Sequence, residues 1–413
     1  MNFDKDIIKW IWFSQATVPG SSNASKILDY DDEIDELYKR SYNYNDYSVP
    51  DHVIDSLNDK CLDEAERILK YCEENDILPL HVFDRRFPDR LRNIQDHPAL
   101  LYMKGTIPDF DKHVTIAVVG TRDCTDYGLE TTYDICDGLA RSGIIIVSGM
   151  ALGIDAAAAT AALNANKFTI AVLGCGVDVI YPPENESLYY QIKNNGLLVS
   201  EYPPLREVVK YAFPERNRII SGMSDGVFVV EAGKDSGALI TADRALYQGR
   251  KIYAAPGNID SPQSVGTNRL IQNGAKLIMD ANDIIAEHQF DMSRELIPVM
   301  RHDVVRLSRE KEERQRRRKE KRPLFKVEKR SKAEDKKHET EGHAVSHAQP
   351  ELLSNKEKLI YNVLTEKPMS IDNIAKNAKI PIPEVSAMLT MLIIKQMVER
   401  HPGDRYTRTK KGK

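Results

Sequence analysis

The chain has 413 residues, which is too many for one compact core and enough for two or three domains. Hydrophobic residues make up 41% of it and the net charge is −4, but no apolar run is long enough to cross a bilayer and the first residues lack the pattern of a signal peptide. The five cysteines are scattered, without a CxxC pair or matched histidines, which argues against a disulfide framework and a zinc site. We therefore expect a cytoplasmic protein with reduced thiols, no metal centre and no cofactor.

The charge is distributed unevenly along the chain. Residues 1–60 hold twelve Asp and Glu against six Lys and Arg, a local balance of −6. Residues 301–340 hold seventeen Lys and Arg against nine Asp and Glu, a local balance of +8. Because binding to nucleic acid depends on local potential, the small negative net charge does not exclude nucleic acid as a partner.

The first 75 residues have the pattern of a helical region. Apolar side chains recur at helical spacing near the start of the chain, as at Ile7 and Ile11, and again further along, as at Ala65 and Ile68. Each set places its apolar residues on one face of a helix. We therefore predict a helical domain over residues 1–75.

Residues 76–292 alternate short, apolar, β-rich runs with stretches of helical periodicity. Continuous apolar strands separated by helices are typical of a parallel sheet that is covered on both faces. The predicted strands are Val114–Val119, Ile144–Val147, Thr169–Leu173, Leu197–Val199, Val227–Val230 and Ile252–Ala255. The predicted helices lie near 127–141, 154–166, 184–195, 214–222 and 237–248. The fold class is therefore α/β, with a central doubly wound, Rossmann-like domain.

The composition changes beyond the central domain. Residues 293–350 are rich in charge and poor in large apolar side chains, so they cannot bury enough surface to offset the entropy of ordering, and we predict a basic linker. Residues 351–413 have three helical patterns and a terminal hairpin, from which we predict a winged-helix domain. Its predicted helices are Lys356–Thr365, Ile371–Asn377 and Pro383–Lys395, and its hairpin strands are Met397–Arg400 and Arg405–Arg408.

The segment after the first predicted strand of the central domain combines three features that suit a phosphate. Gly120 permits a tight turn, Thr121 and Arg122 offer a hydroxyl and a planar cation, and a helix begins near Asp126 with free backbone N–H groups. The segment lacks the GxGxxG spacing of a dinucleotide fingerprint. Taken by itself, it is also compatible with a plain tight turn.

Later strand ends carry similar residues. Ser148 and Gly149 follow the second predicted strand, and Ser236 and Gly237 stand at another helix start. Because ligands of open parallel sheets bind outside the carboxyl ends of the strands, these segments should line one edge of the sheet. Their repetition along that edge favours an extended phosphate-binding cleft over a set of unrelated turns.

A basic and aromatic stretch, KYAFPERNR, follows the fourth predicted strand. Lys210, Arg216 and Arg218 supply positive charge, and Phe213 supplies a flat apolar ring. Cations that follow a nucleic-acid backbone, interleaved with a ring that stacks on a base, are what sequence-tolerant binding of single-stranded DNA requires. The alternative is that Phe213 belongs to the core and that Arg216 and Arg218 are helix-surface charges paired with Glu215.

The central motifs occur in the order found in the DprA/Smf family, which the chain resembles from residue 83 to residue 278. The blocks include VVGTRDCTDYG, VSGMALGIDAAAATAAL, LLVSEYPP, FPERNRIISGMSD and VVEAGKDSGALITADRAL. As a set they are highly specific. The resemblance implies a protein that is not an enzyme, that binds and protects single-stranded DNA, and that loads the RecA recombinase onto it during natural transformation.

The resemblance also carries expectations about architecture and site residues. It implies a SAM-like N-terminal region, a C-terminal winged helix and a homodimer formed through the central domain. The residues that it places in the DNA pocket are Arg122, Ser148, Gly149, Lys210, Phe213, Arg216, Asn217 and Arg218.

The chain departs from the family pattern at several positions. Leu152 stands where the family usually has arginine, and Ala159 stands where it usually has histidine. Losing that arginine should weaken any phosphate contact at this helix start. The turn Pro19-Gly20-Ser21-Ser22 lacks the second glycine of a good DNA-binding hairpin, so we expect partner contact or capping from it.

Two rival functions remain open at this point. The α/β architecture also resembles nucleotide phosphoribohydrolases, in which Glu231 would be the catalytic carboxylate, although the PGGxGT loop of those enzymes is absent. We expect Glu231 to be structural, capping the next turn or pairing with a cationic neighbour. The other rival is a scaffold that docks RecA and contacts DNA only incidentally. For the winged helix, protein contact and accessory binding of duplex DNA are both open.

Overall fold

The computed structural model describes residues 3–44, 46–289 and most positions between 355 and 408. The gaps in that last range are 366–368, 379, 381–384, 386–388, 390–391, 393–397 and 402–404. The described residues form two compact units, one ending at residue 289 and one beginning at residue 355. The predicted linker, residues 293–350, lies outside them, and the predicted domain boundaries stay predictions.

The first unit is built on one sheet of nine strands. The strands are β1 (Leu78–His81), β2 (Leu100–Gly105), β3 (Thr115–Val119), β4 (Ile145–Ser148), β5 (Thr169–Leu173), β6 (Leu197–Ser200), β7 (Gly226–Val229), β8 (Lys251–Ala254) and β9 (Lys276–Leu277). Their order across the sheet is β1-β2-β6-β5-β4-β3-β7-β8-β9. Strands β3 to β9 pair in parallel, and only β1 and β2 run antiparallel to their neighbours.

The order of the strands reverses direction once. From β3 the chain proceeds outward through β4, β5 and β6, then returns to the other side of β3 and proceeds through β7, β8 and β9. Strands β3 and β7 are therefore adjacent, and the connections that leave them go to opposite faces of the sheet. This is the topological switch point of a doubly wound fold, where a crevice opens at the carboxyl ends of the strands.

Helices cover both faces of this sheet. Along β3, Ile116 and Val118 face one apolar cluster while Ala117 and Val119 face the other. The helices are α6 (Asp89–Arg92), α7 (Asp126–Arg141), α8 (Ile154–Asn164), α9 (Glu186–Asn195), α10 (Ala212–Gly222), α11 (Gly237–Tyr247), α12 (Val265–Gln272) and α13 (Ala281–His288). The predicted doubly wound α/β fold is thereby confirmed. No helix among the described residues is long and apolar enough to span a membrane.

The N-terminal region is helical, as predicted, and shares its core with the sheet. Its helices are α1 (Ile7–Ala16), α2 (Asn23–Leu28), α3 (Ile34–Lys39), α4 (Asp51–Asn58) and α5 (Asp63–Glu74). Helix α1 is buried almost all round and, with α5, packs against β1. Gly20, at φ +92°, lies so close to the Tyr202 hydroxyl that a Cβ there would come within 2.5 Å of it. The turn at residues 19–22, for which we predicted partner contact or capping, thus contacts the sheet domain.

The second unit is small and mixed. It contains helices α14 (Asn355–Val363) and α15 (Ile371–Ala378) and a sheet of β10 (Met369–Ser370), β11 (Val398–His401) and β12 (Arg405–Arg408), in the order β10-β12-β11. Strands β11 and β12 correspond to the predicted hairpin. Most of the predicted third helix, Pro383–Lys395, lies outside the described residues, but Val385, Leu389 and Leu392 within it are buried in the core of this unit.

Candidate nucleic-acid interface

A cleft of about 730 Å³ lies at the carboxyl ends of β3 and β7, at the switch point of the sheet. Three segments form most of its walls: the turn after β3, the first turns of α10, and the turn that leads from β7 into α11. The predicted site residues that line it are Gly120, Thr121, Arg122, Phe213, Arg216, Asn217, Ser236 and Gly237. Gly149 lines a smaller depression next to it. The fold thus brings together most of the predicted site residues, although more than a hundred residues of sequence separate the first from the last.

The turn after β3 is held in place by backbone contacts. The N–H of Thr121 donates to the carbonyl of Glu231, which follows β7, at 2.8 Å. Gly120 packs so closely on Ile154 that a Cβ there would lie 2.4 Å from that side chain. Arg122 is exposed at the tip of this turn. A well-anchored turn therefore presents an exposed cation at the mouth of the cleft.

Phe213 separates the cleft from the smaller depression, which has a volume of about 60 Å³. The guanidinium carbon of Arg122 lies 5.5 Å from the centre of the Phe213 ring, within the range of a cation–π contact. The ring of Tyr181 lies 5.5 Å from that of Phe213 on the side of the small depression, at an interplanar angle of 33°. Phe213 is half-buried, so the alternative in which it belongs wholly to the core does not describe it.

Arg216 forms the floor that both depressions share. Its side chain is buried, with 5% of the residue exposed, and donates to the carbonyl of Val172. Burial raises the pKa of the nearby Asp155 carboxyl, against the opposing charge of Arg216 and the N–H of Gly149, which donates to this carboxylate at 3.1 Å. A Cβ on Gly149 would lie 2.1 Å from the Arg216 guanidinium, so glycine is required for this arrangement.

Replacing Asp155 by asparagine should tighten the binding of an anion in the cleft. The amide keeps the acceptor for Gly149 and removes the negative charge beside Arg216, so we expect an affinity for oligo-dT about three- to tenfold higher at pH 7.5. In the wild type the same gain should develop as the pH falls, because the raised pKa makes Asp155 take up its proton before ordinary carboxyls do. Fluorescence anisotropy from pH 7.5 to 5 measures both effects. Equal pH dependence in the two proteins would contradict this role of Asp155.

The same titration should affect stability. Because the pKa of Asp155 is raised in the folded protein, the folded state binds this proton more tightly than the unfolded state does. The contribution of Asp155 to stability is therefore fully present at low pH and is lost as the pH rises through the folded pKa.

Arg218 lies outside the residues that line the cleft. It is 1% exposed and donates to both carboxylate oxygens of Glu201 at 2.8 Å, and its Nε lies 3.7 Å from a carboxylate oxygen of Asp96. Its partner is thus Glu201 and not Glu215, and it is a buried charge instead of a helix-surface one. This geometry gives Arg218 a structural role at the carboxyl end of β6.

Two further predicted residues also lie outside the cleft lining. Ser148 is buried, and its hydroxyl donates to the carbonyl of Val118 at 2.7 Å, which ties β4 to β3. Lys210 is exposed two residues before α10 and lines neither depression. The assignment of these residues to DNA contact stays a prediction.

The turn before α11 supplies a cation that the sequence reasoning missed. Lys234 is exposed and lines the cleft beside Ser236, whose hydroxyl caps α11 by accepting from the N–H of Ala238. The signal was present in the sequence, since EAGKDSGALIT places Lys234 between a strand end and a helix start. The N-terminus of α11 adds the positive end of its helix dipole to the same wall.

Glu231 is held by the start of α7. Its two carboxylate oxygens accept from the hydroxyl of Thr125 at 2.6 Å and from the N–H of Thr125 at 2.9 Å, and the residue is 1% exposed. Gly128 lies against it, since a Cβ there would come within 2.2 Å of the carboxylate. The sequence led us to expect Glu231 to cap the turn that follows it or to pair with a cation, and in the structure it binds the N-cap of α7 instead. Within the described residues, no group of three His, Cys, Asp or Glu side chains is placed to hold a metal ion.

Replacing Gly128 by alanine should destabilise the protein, although alanine is the better helix former by about 1 kcal/mol. The added methyl group would displace the Glu231 carboxylate and break its bonds to Thr125, so we expect a net loss of about 1–2 kcal/mol in the free energy of unfolding. Gly237→Ala is the matched control, because a Cβ there meets no atom within 4 Å. Urea denaturation compares the three proteins, and a Gly128→Ala variant as stable as the control would show that Glu231 is not fixed.

The two positions that depart from the family pattern have different surroundings. Leu152 is exposed at the edge of the small depression. Ala159 is buried in an apolar cluster with Met150 and Leu173. The change at residue 152 therefore alters the surface of the site, and the change at residue 159 alters the core beneath it.

The fold and the cleft define a class of protein: a doubly wound α/β domain with a ligand cleft at its switch point, lined by cations and an aromatic ring, followed by a second small unit. Residues 79–289 match the family model of DNA recombination-mediator protein A, and residues 344–404 match that of the DprA winged helix domain. The second match confirms the winged-helix prediction.

Curated relatives and a solved structure agree with these matches. The chain is 44% identical over 209 residues to DNA processing protein DprA of Streptococcus pneumoniae, which covers 51% of this chain and 73% of the relative. It is 36% identical over 329 residues to Protein Smf of Synechocystis, covering 79% and 78%. The X-ray structure of DprA from Streptococcus pneumoniae superposes with a TM-score of 0.58 at 35% identity, covering 67% of this chain and 95% of that one. The chain belongs to the DprA/Smf family.

Proposed function

We propose that the chain binds single-stranded DNA in the switch-point cleft without sequence preference, protects it, and passes it to the RecA recombinase during natural transformation. The observation that carries the proposal is the contact between the exposed Arg122 and the half-buried ring of Phe213, at the boundary between two connected depressions. A cation and an aromatic surface at this spacing suit one nucleotide, whose phosphate is anionic and whose base is flat.

The distribution of charge along the cleft supports a strand rather than a single small anion. Arg122 comes from the turn after β3 and Lys234 from the turn before α11, and the positive end of the α11 dipole lies beside Lys234. Contacts of this kind neutralise phosphates and carry no base sequence information. Such binding is expected to weaken steeply with salt.

The chemistry of the same region supports holding over catalysis. Both carboxylate oxygens of Glu231, the only candidate that the phosphoribohydrolase alternative offered, are engaged by Thr125. Burial also raises the pKa of Cys175, whose thiol lines the small depression together with Phe213, to about 11, so it stays neutral and a poor nucleophile. We therefore propose that the protein is not an enzyme.

The partners in this proposal rest on the family. The matching model is that of a recombination-mediator protein, and the relatives are named DNA processing proteins. From this we propose RecA as the receiving protein, the cytoplasm as the location and a homodimer as the assembly. Two clefts in one dimer would track a longer strand and raise avidity.

The test is fluorescence anisotropy of labelled oligo-dT and of a matched duplex across a salt series. We expect tighter binding of the single strand, and a loss of about tenfold or more in Phe213→Ala, because this ring supports both the Arg122 guanidinium and the Tyr181 ring and a stacked base contributes about 1–3 kcal/mol. Tyr30→Ala, which removes an exposed ring from the N-terminal region, is the control. RecA assembly on oligo-dT coated with the protein, followed by electron microscopy, tests the transfer step.

Two results would overturn the proposal. Absence of binding to oligo-dT, or binding that Phe213→Ala leaves unchanged, would remove the assigned cleft. Release of free base from a nucleoside monophosphate by the wild type, lost in Glu231→Gln, would support the phosphoribohydrolase alternative instead.

A further inference from the structure

We propose that Leu152, Tyr181 and Phe213 form a base-accepting subsite, and that the identity of residue 152 sets how much of the affinity comes from bases rather than phosphates. The inference rests on the proposed binding of single-stranded DNA and deepens it, because it assigns the small depression next to the cleft. Residue 152 is an exposed leucine beside the cationic cleft.

The walls of the small depression are mainly apolar. Besides the three proposed residues, Leu173, Gly174, Cys175 and Pro182 line it, and its cations are the two arginines that it shares with the cleft, Arg122 and Arg216. Gly174 lets the Phe213 ring lie low, since a Cβ there would be 3.1 Å from the ring. The apolar part of this surface attracts the flat face of a base.

Leu152 is held at the mouth of this depression by the backbone around it. The next residue, Gly153, has a φ of +77°, and a Cβ there would lie 2.5 Å from the carbonyl oxygens of Thr121 and Arg122. The loop therefore packs directly on the Arg122 turn. Leu152 is 37% exposed, so its side chain is available to a ligand.

The two depressions are close enough for one strand to use both. They share Arg122, Phe213, Arg216 and Ala151 in their linings, so no wall of other residues separates them. A strand whose phosphates lie along Arg122 and Lys234 has bases attached a few bonds away. The base next to Arg122 is therefore directed toward Leu152 and Tyr181.

The ring geometry decides how a base binds there. The rings of Tyr181 and Phe213 are already in contact at 5.5 Å between centroids, which leaves no space for a base between them. Arg122 lies over Phe213. A base therefore stacks on the open side of Tyr181, with Leu152 against its edge.

The experiment compares two DNA probes that differ only in their bases: oligo-dT and an abasic oligonucleotide of the same length. Anisotropy titrations use the full chain at several salt concentrations. The variants are Tyr181→Ala, Leu152→Arg and, as a charge-matched control away from the site, Met279→Arg, where an exposed side chain precedes α13. Thermal melting by circular dichroism verifies that each variant is folded.

The wild type should bind oligo-dT about tenfold or more tightly than the abasic probe. Tyr181→Ala should lose about tenfold for oligo-dT and leave the abasic probe unchanged. Leu152→Arg should bind the abasic probe more tightly, so that the ratio of the affinities for oligo-dT and for the abasic probe becomes smaller. Its slope of log K against log salt should become steeper by about 0.7, as expected for one added phosphate contact. Met279→Arg should change neither ratio nor slope.

The possible outcomes distinguish failure of the base subsite from failure of the proposed function. Equal binding of both probes by the wild type, or equal losses for both probes in Tyr181→Ala, would overturn the base subsite while leaving the DNA cleft intact. Failure of the wild type to bind either probe would overturn the proposed function itself.

Discussion

Replacing Arg122 by alanine is expected to lower the affinity for oligo-dT about ten- to hundredfold. The guanidinium is exposed on a well-anchored turn at the mouth of the cleft and lies over Phe213, so its loss removes a charge-assisted phosphate contact and the cation beside the ring. The slope of log K against log salt should also become shallower by about 0.7, the value for one phosphate contact on a single strand. Anisotropy titrations over a salt series measure both changes.

Two variants make this expectation specific. Arg122→Lys keeps the charge but not the planar fork, so it should restore the salt slope and only part of the affinity. Arg67→Ala removes an exposed arginine from α5 and should leave DNA binding unchanged. A loss in Arg67→Ala as large as that in Arg122→Ala would mean that binding follows overall charge and not the cleft.

Replacing Arg218 by methionine is expected to have the largest effect on stability. The substitution leaves the carboxylate of Glu201 buried without its partner, which costs about 3–5 kcal/mol in comparable pairs. Urea denaturation at pH 7 should reveal a loss of this size in the free energy of unfolding. The folded fraction should bind oligo-dT with an affinity close to that of the wild type, because Arg218 does not line the cleft.

A second substitution distinguishes loss of the pair from loss of packing. In Arg218→Met with Glu201→Leu, neither charge is buried, so most of the lost stability should return. A double variant as unstable as the single one would mean that the two charges do not act as a pair. A DNA affinity that falls together with stability in both variants would mean that Arg218 contributes to DNA binding.

The sequence pattern was sufficient for the sheet and for the edge that carries the site. The six predicted strands all occur within one or two residues of their predicted ends, because each is a continuous apolar run buried on both faces. Strands β1, β2 and β9 were missed. Strand β1 contains Pro79, which is tolerated because β1 is an edge strand, and β9 has only two residues.

Burial within α10 could not be predicted from composition. Arg216 and Arg218 have the same residue type two positions apart, and a charge in a helix is most often exposed. Only the tertiary structure places the carbonyl of Val172 beside one of them and the carboxylate of Glu201 beside the other. Lys234 was missed for the opposite reason, because an exposed lysine in a turn gives no periodic signal.

The docking of the N-terminal turn on Tyr202 has a consequence for how the protein can be shortened. A chain that starts at residue 76 would lose the contact of Gly20 with Tyr202 and uncover the apolar side chains of β1 and β2. The first five helices thus belong to the folding unit and are not a removable appendage. The role of the N-terminal region should therefore be studied by substituting side chains within those helices, and not by deleting the helices.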